Sequence, residues 1–86
     1  MFYCYIIYSI TADRFYVGYT SDLNERLKKH NTLHKGFTGY KNDWEYVYIE
    51  KFESKDQASF RERQIKNWKS RRLIIALVEN YKSSAR

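Results

Sequence analysis

The chain has 86 residues, one cysteine and no proline, so a single domain with no internal disulfide is expected, held together by apolar packing. Nine tyrosines, five phenylalanines and two tryptophans supply much of that packing, since each buried aromatic removes about 150–250 Å² from water. The net charge is +6, and residues 60–86 carry all of the excess while residues 1–59 balance.

A localised basic surface points to a polyanionic partner, nucleic acid first; a solvated C-terminal helix is the plain alternative. The lone cysteine suits a reducing compartment. The opening run Met1 to Ile10 is apolar, but it is far shorter than the ~20 residues that span a bilayer and has no basic stretch before it. A soluble, cytoplasmic protein with no membrane partner is therefore expected.

Phe2 to Ile10 is rich in Tyr and Ile and reads as a strand. Its alternation puts Tyr3, Tyr5 and Ile7 on one face and Cys4, Ile6 and Tyr8 on the other. Cys4, inside an apolar strand, reads as core rather than nucleophile. Thr11 to Arg14 makes a tight turn in which Asp13 tolerates an unusual backbone angle. Phe15 to Tyr19 is a second strand, and so short a connection makes the pair an antiparallel hairpin. Thr20, Ser21 or Asp22 caps a helix running to about Asn31, with Asp22 and Glu25 in the first turn where the helix dipole favours them. Leu23 and Leu27 mark its inward stripe, and Arg26 and His30 lie beside that stripe.

Residues 32–43, with Lys35, Gly36, Gly39, Lys41 and Asn42, read as a surface loop. Trp44 to Phe52 is a third strand, with Val47 and Ile49 on one face and Tyr46 and Tyr48 on the other. Ser54 and Gln57 form a capping box that opens a helix. Ala58, Ile65 and Trp68 share one stripe of it, and Glu62 falls on the same stripe. A carboxylate on a buried face is costly unless it is paired or holds a cation. Arg61, Arg63, Lys66 and Lys69 surround it. Ser70 caps a last helix from Arg71 to about Tyr81, with Leu73, Ile74, Leu77, Val78 and Tyr81 as its apolar face. The order β-β-α-β-α-α, three strands covered by helices, predicts an α+β domain over residues 1–82 with a flexible tail at 83–86.

Tyr3-Cys4-Tyr5 and Tyr16-Val17-Gly18, with Arg26 and His30 on the following helix and Glu62 on a later one, resemble the ordered motifs of the GIY-YIG nuclease superfamily. The stretch Phe15 to Leu23 and the run Arg61 to Lys66 are similar to the small stand-alone bacterial members. The likeness covers about residues 2–80. Two positions depart from the pattern, since Tyr3 and Cys4 stand where the first motif has glycine and isoleucine. Some larger relatives carry a further asparagine near the metal, and Asn67 and Asn80 are both available. Larger relatives also carry a separate DNA-targeting domain, for which this chain offers no segment, so a targeting protein partner is a further expectation.

The resemblance implies a three-stranded antiparallel sheet with flanking helices and a one-metal phosphodiesterase site acting on DNA. Tyr5 would be the general base on the attacking water and Arg26 the ligand of the scissile phosphate. Tyr16 and His30 would position water or phosphate, and Glu62 would hold Mg²⁺ or Mn²⁺ on the leaving-group side. No small-molecule cofactor is implied.

The residues are chemically compatible with those roles. Arg26 offers a planar fork for a phosphate, and one carboxylate plus waters suits magnesium. Gly18, with no side chain, would let a substrate backbone approach, and Arg61, Arg63, Lys66 and Lys69 would hold further phosphates. An ordinary phenol titrates near pH 10, so Tyr5 as a base calls for Arg26, His30 or the metal to lower it. His30 and His34 stand four apart, but no further ligand clusters with them to make a zinc site. Two rivals remain: a nucleic-acid-binding module of the same fold with little turnover, and a protein-interaction domain with a basic surface. The glutamate beside the phosphate-binding set favours the enzyme, because a mere binder has no need of it.

Overall fold

The computed structural model describes residues 1–32 and 41–84. His34 of the histidine pair, and Lys35, Gly36 and Gly39 of the expected loop, lie outside them. The elements are β1 (Phe2–Ser9), β2 (Arg14–Thr20), α1 (Leu23–His30), β3 (Glu45–Phe52), α2 (Lys55–Lys66) and α3 (Arg71–Ser84). The strands form one antiparallel sheet in the order β2-β1-β3, so the α+β reading and the element order hold. No helix among the described residues is long and apolar enough to cross a membrane.

β1 is the central strand and is covered on both faces. Cys4, Tyr5, Ile6 and Ile7 are all completely buried, which an alternating half-exposed strand would not allow. On one face Tyr5, Ile7 and Trp44 pack with Tyr46, Ile49 and the Leu23 and Leu27 stripe of α1. On the other, Cys4, Ile6, Val17 and Tyr48 pack with Ile65 of α2 and Val78 of α3.

β3 does not alternate as its sequence predicts. Ile6 pairs with Tyr48 and Ile7 with Tyr46, so the register shifts and Val47 is left between them. A bulge of this kind puts two consecutive residues on the same side. Val47 therefore joins Tyr48 against α2 and α3, while Tyr46 joins Ile49 on the α1 face. Tyr46 uses that placement: its hydroxyl donates to the Leu23 carbonyl at 2.6 Å, tying the first turn of α1 to the sheet.

The helix starts follow their capping residues. Asp22 accepts from the Glu25 backbone N–H at 3.0 Å, and Ser54 and Gln57 form the reciprocal box at the start of α2. After α1, the Asn31 side chain bonds both backbone groups of Trp44, donating to its carbonyl at 3.1 Å and accepting from its N–H at 2.8 Å. Asp13 takes a left-handed backbone angle (φ 52°) in the hairpin turn, and Arg71 at the start of α3 grips its carboxylate and its carbonyl.

α3 departs from expectation twice. It continues past Tyr81 to Ser84, so residues 83 and 84 belong to the helix rather than to a tail. Lys82 suits the negative end of the helix dipole, and the Ser84 hydroxyl donates to the Asn80 carbonyl. Its buried stripe is also narrower, running through Ile74, Leu77 and Val78. Leu73 is exposed, whereas Tyr81, though partly exposed, meets the Tyr48 ring of β3 edge-on at 5.2 Å.

Candidate active site

The site grows from the hairpin. Tyr5 on β1 is the register partner of Gly18 on β2. The phenol leans across the glycine: a Cβ on Gly18 would stand 2.5 Å from the Tyr5 hydroxyl oxygen, 2.6 Å from Cζ and 3.2 Å from Cε2 of Tyr16. The volume a side chain would take at Gly18 is thus filled by Tyr5, while Gly18 itself borders the cleft described below. Glycine is needed there because the end of a buried ring occupies the volume a side chain would take.

His30, the last residue of α1, completes the cluster. Its Nε2 lies 2.7 Å from the Tyr5 hydroxyl, and its ring centre is 5.0 Å from that of Tyr16. The Tyr46 ring meets Tyr5 edge-on at 5.3 Å. Tyr5 is therefore held on several sides before any substrate arrives.

A cleft of about 380 Å³ opens over this cluster, and Tyr5, Tyr16, Gly18, Arg26 and Glu62 all line it. Two strands and two helices supply those five side chains. His30 does not line the cleft; it reaches it through Tyr5. Arg26 is half-buried and makes no ion pair among the described residues, which leaves its fork open to an anion. Glu62 is only 15% exposed, and its carboxylate meets Lys66 Nζ at 3.2 Å. Its ion-pair partner is thus Lys66, on its own helix, and not Arg26 across the cleft.

The other basic residues expected around a substrate go elsewhere. Arg61 bonds Glu50 at 2.9 Å and Gln64 at 2.8 Å, on the sheet side of α2. Arg63 lines a separate groove with Phe60 and Trp68. Lys69 is exposed in the turn between α2 and α3, with a left-handed backbone angle. Successive helical residues turn by about 100°, so a run of like charges is dealt around the axis rather than onto one face. Asn67 caps the C-terminus of α2 and Asn80 is exposed on α3; neither lines the cleft. Lys55 does, as do Phe2 and Tyr19 from the strands. The signal for Lys55 was its spacing: seven residues before Glu62, two turns back on the same face.

Electrostatics correct one further expectation. Burial pushes the Tyr5 phenol well above its ordinary value, and the opposing charge of Arg26 is the weaker influence. Burial likewise pushes Tyr46 up to about 12, and Tyr48 to about 12 with help from its hydrogen bond to Glu50. All three phenols are raised in the folded state, so it holds protons that the unfolded chain releases near pH 10. Their contribution is complete below pH 10 and is lost as pH climbs from there toward the folded values. Alkaline titration followed by phenolate absorbance and far-ultraviolet circular dichroism should show buried-phenol ionisation and unfolding together. Ionisation of all the phenols near pH 10 in an intact fold would contradict the burial.

The possible ligands for a metal are few. Among the described residues no group of three or more His, Cys, Asp or Glu side chains comes together. A preformed zinc cage is not what this donor set offers. One carboxylate at the wall of an open cleft fits an ion that keeps most of its waters and shares a phosphate oxygen with its substrate, which is how magnesium binds.

The profile of the GIY-YIG catalytic domain matches residues 1–74, from β1 into the first turn of α3. The chain belongs to that family. Every cleft residue named above falls inside the match. No curated protein and no solved structure matches the chain. Membership of the GIY-YIG family gives a nuclease-type function and a nucleic-acid substrate in general terms, and GIY-YIG nucleases as a class depend on divalent metals.

Proposed function

We propose that this GIY-YIG domain is a magnesium- or manganese-dependent DNA endonuclease that hydrolyses phosphodiester bonds at structured or damaged sites, in the cytoplasm, with a targeting partner supplying any sequence preference. The observation that carries the reading is the cleft itself. Tyr5, Tyr16 and Arg26 from the hairpin and α1 meet Glu62 from α2 across one opening, so a candidate base, a phosphate fork and a carboxylate face a common volume.

In this reading Arg26 binds the non-bridging oxygens of the scissile phosphate and stabilises the charge that grows on them. Glu62 holds the cation, which when bound would polarise the phosphate and steady the leaving oxygen. Tyr5 is a neutral phenol at neutral pH, as any tyrosine is, and burial makes its proton harder still to lose outright. It serves as a relay: its oxygen takes a proton from the attacking water while its own proton passes to His30 Nε2, 2.7 Å away. That requires the His30 tautomer with Nε2 unprotonated, so Tyr5 donates at rest. Tyr16 lines the cleft beside this pair and orients the water or the phosphate.

One observation favours the second reading, a nucleic-acid-binding module with little turnover: Glu62 is already paired to a lysine. A cleavage assay with the purified chain on duplex, nicked, flap and single-stranded DNA, with Mg²⁺ or Mn²⁺ and with a chelator, separates the two. The expected result is chelator-sensitive cleavage favouring non-duplex forms, with affinity falling as salt rises because neutralised phosphates release counterions. Salt-sensitive binding without cleavage of any form would select the binding module. Salt-independent or absent DNA binding would select a protein partner.

A further inference from the structure

Lys66 holds a position that none of the roles above requires. Its ammonium lies 3.2 Å from Glu62 Oε2 and 5.3 Å from the centre of the Tyr16 ring. An exposed pair spaced i,i+4 on a helix contributes only about 0.2–0.5 kcal/mol and forms loosely. This pair is different on two counts. The Glu62 side chain is 15% exposed and lines the cleft, so its charge is partly stripped of water and needs a partner. The ammonium also meets the face of a second cleft residue, where the ring quadrupole attracts a cation. Lys66 itself stays 46% exposed, on a flexible four-carbon stem that lets the head swing out.

A divalent ion held by Glu62 would sit within a few ångströms of that ammonium. Like charges at such a distance repel strongly where water is partly excluded. We propose that Lys66 is an internal counter-cation at Glu62, one that occupies the carboxylate when the cleft is empty and must leave for a divalent metal to bind. The inference rests on the reading of Glu62 as the metal ligand. It has a consequence for substrate. A phosphate drawn to Arg26 gives the displaced ammonium another anion within the same cleft. Nucleic acid and metal then each favour the binding of the other, by the reciprocity that any such coupling obeys. The pairing would keep the metal site closed until a phosphodiester is present.

The test measures Mn²⁺ alone, from the electron paramagnetic resonance signal of the free ion, against the full chain without DNA. Lys66→Met keeps an unbranched apolar side chain and removes the charge; Lys66→Gln removes the charge with a polar end. Both should bind Mn²⁺ roughly three- to tenfold more tightly than the parent. Lys55→Gln, which removes another positive charge from the cleft, should change it less than about twofold. Adding a short oligonucleotide should tighten Mn²⁺ binding in the parent and much less in Lys66→Met. Lys66 is half-exposed in the last turn of α2, and matching circular dichroism would confirm that both variants fold. Unchanged or weaker Mn²⁺ binding in both Lys66 variants, with binding lost in Glu62→Gln, overturns the counter-cation and leaves Glu62 as the ligand. Equal tightening in Lys55→Gln also overturns it, as a general charge effect. Mn²⁺ binding that survives Glu62→Gln overturns the metal reading of Glu62 itself.

Discussion

Gly18→Ala should lower cleavage by about 100-fold or more and cost about 1–3 kcal/mol of stability. A single methyl group does this because of where it lands. The added carbon would lie 2.5 Å from the Tyr5 hydroxyl and 2.6 Å from Cζ, and real contacts of that kind are not tolerated. Relief would require Tyr5 to retreat. Its ring is completely buried, its hydroxyl is bonded to His30, and Tyr46 stands edge-on beside it. The backbone contributes nothing to the penalty, since no described glycine has a positive φ. Steady-state nicking and a urea midpoint measured together check the result. Tyr5→Phe in the Gly18→Ala background should restore little of the urea midpoint, because Cζ remains in the way, and none of the nicking, because the relay hydroxyl is gone. Near-parental activity in Gly18→Ala would show that the position of Tyr5 is not critical.

Glu62→Gln should lower metal-dependent cleavage by at least about 10³-fold while DNA binding stays the same or tightens. The amide keeps the shape of the side chain and removes the charge that a divalent ion needs. It also removes an anion facing a cleft into which Arg26 and Lys55 bring positive charge, so a DNA phosphate meets less repulsion. Gel-shift affinity and nicking rate, measured on one preparation, separate the two effects. Parallel loss of both would mean that Glu62 serves the fold through Lys66. Full activity would mean that the cleavage comes from other residues or from another nuclease in the preparation.

Much of the architecture could be read from local patterns, because they agree with one another. The Tyr- and Ile-rich strands, the capping residues Asp22 and Ser54, and the inward leucines of α1 each specify an element without reference to the rest. The bulge at Val47 was hidden: the sequence alternates smoothly through it, and only the pairing with Ile6 and Ile7 shows the break. The end of α3 is hidden as well: Lys82 and two serines look like a tail, although a last turn accepts them.

The site was half legible. The resemblance to the GIY-YIG motifs marks Tyr5, Tyr16, Arg26 and Glu62, and all four line the cleft. His30 was marked too, but its place behind Tyr5 depends on how α1 docks. Arg61, Arg63 and Lys69 lie away from the cleft, since charge in a sequence carries no direction, and only Lys66 of that set faces the cleft residues. Tyr5 shows why chemistry is harder to read than geometry. Its charged neighbours can be named from the sequence, but the burial that outweighs them is a property of the packed sheet.

The clasp between Asn31 and Trp44 bears on how firmly the first helix is seated. Two hydrogen bonds from one side chain join the end of α1 to the start of β3, and the Tyr46 hydroxyl ties the Leu23 carbonyl at the other end of the helix to the same strand. A rod pinned at both ends resists tilting. His30, one residue before the clasp, therefore keeps its place behind Tyr5.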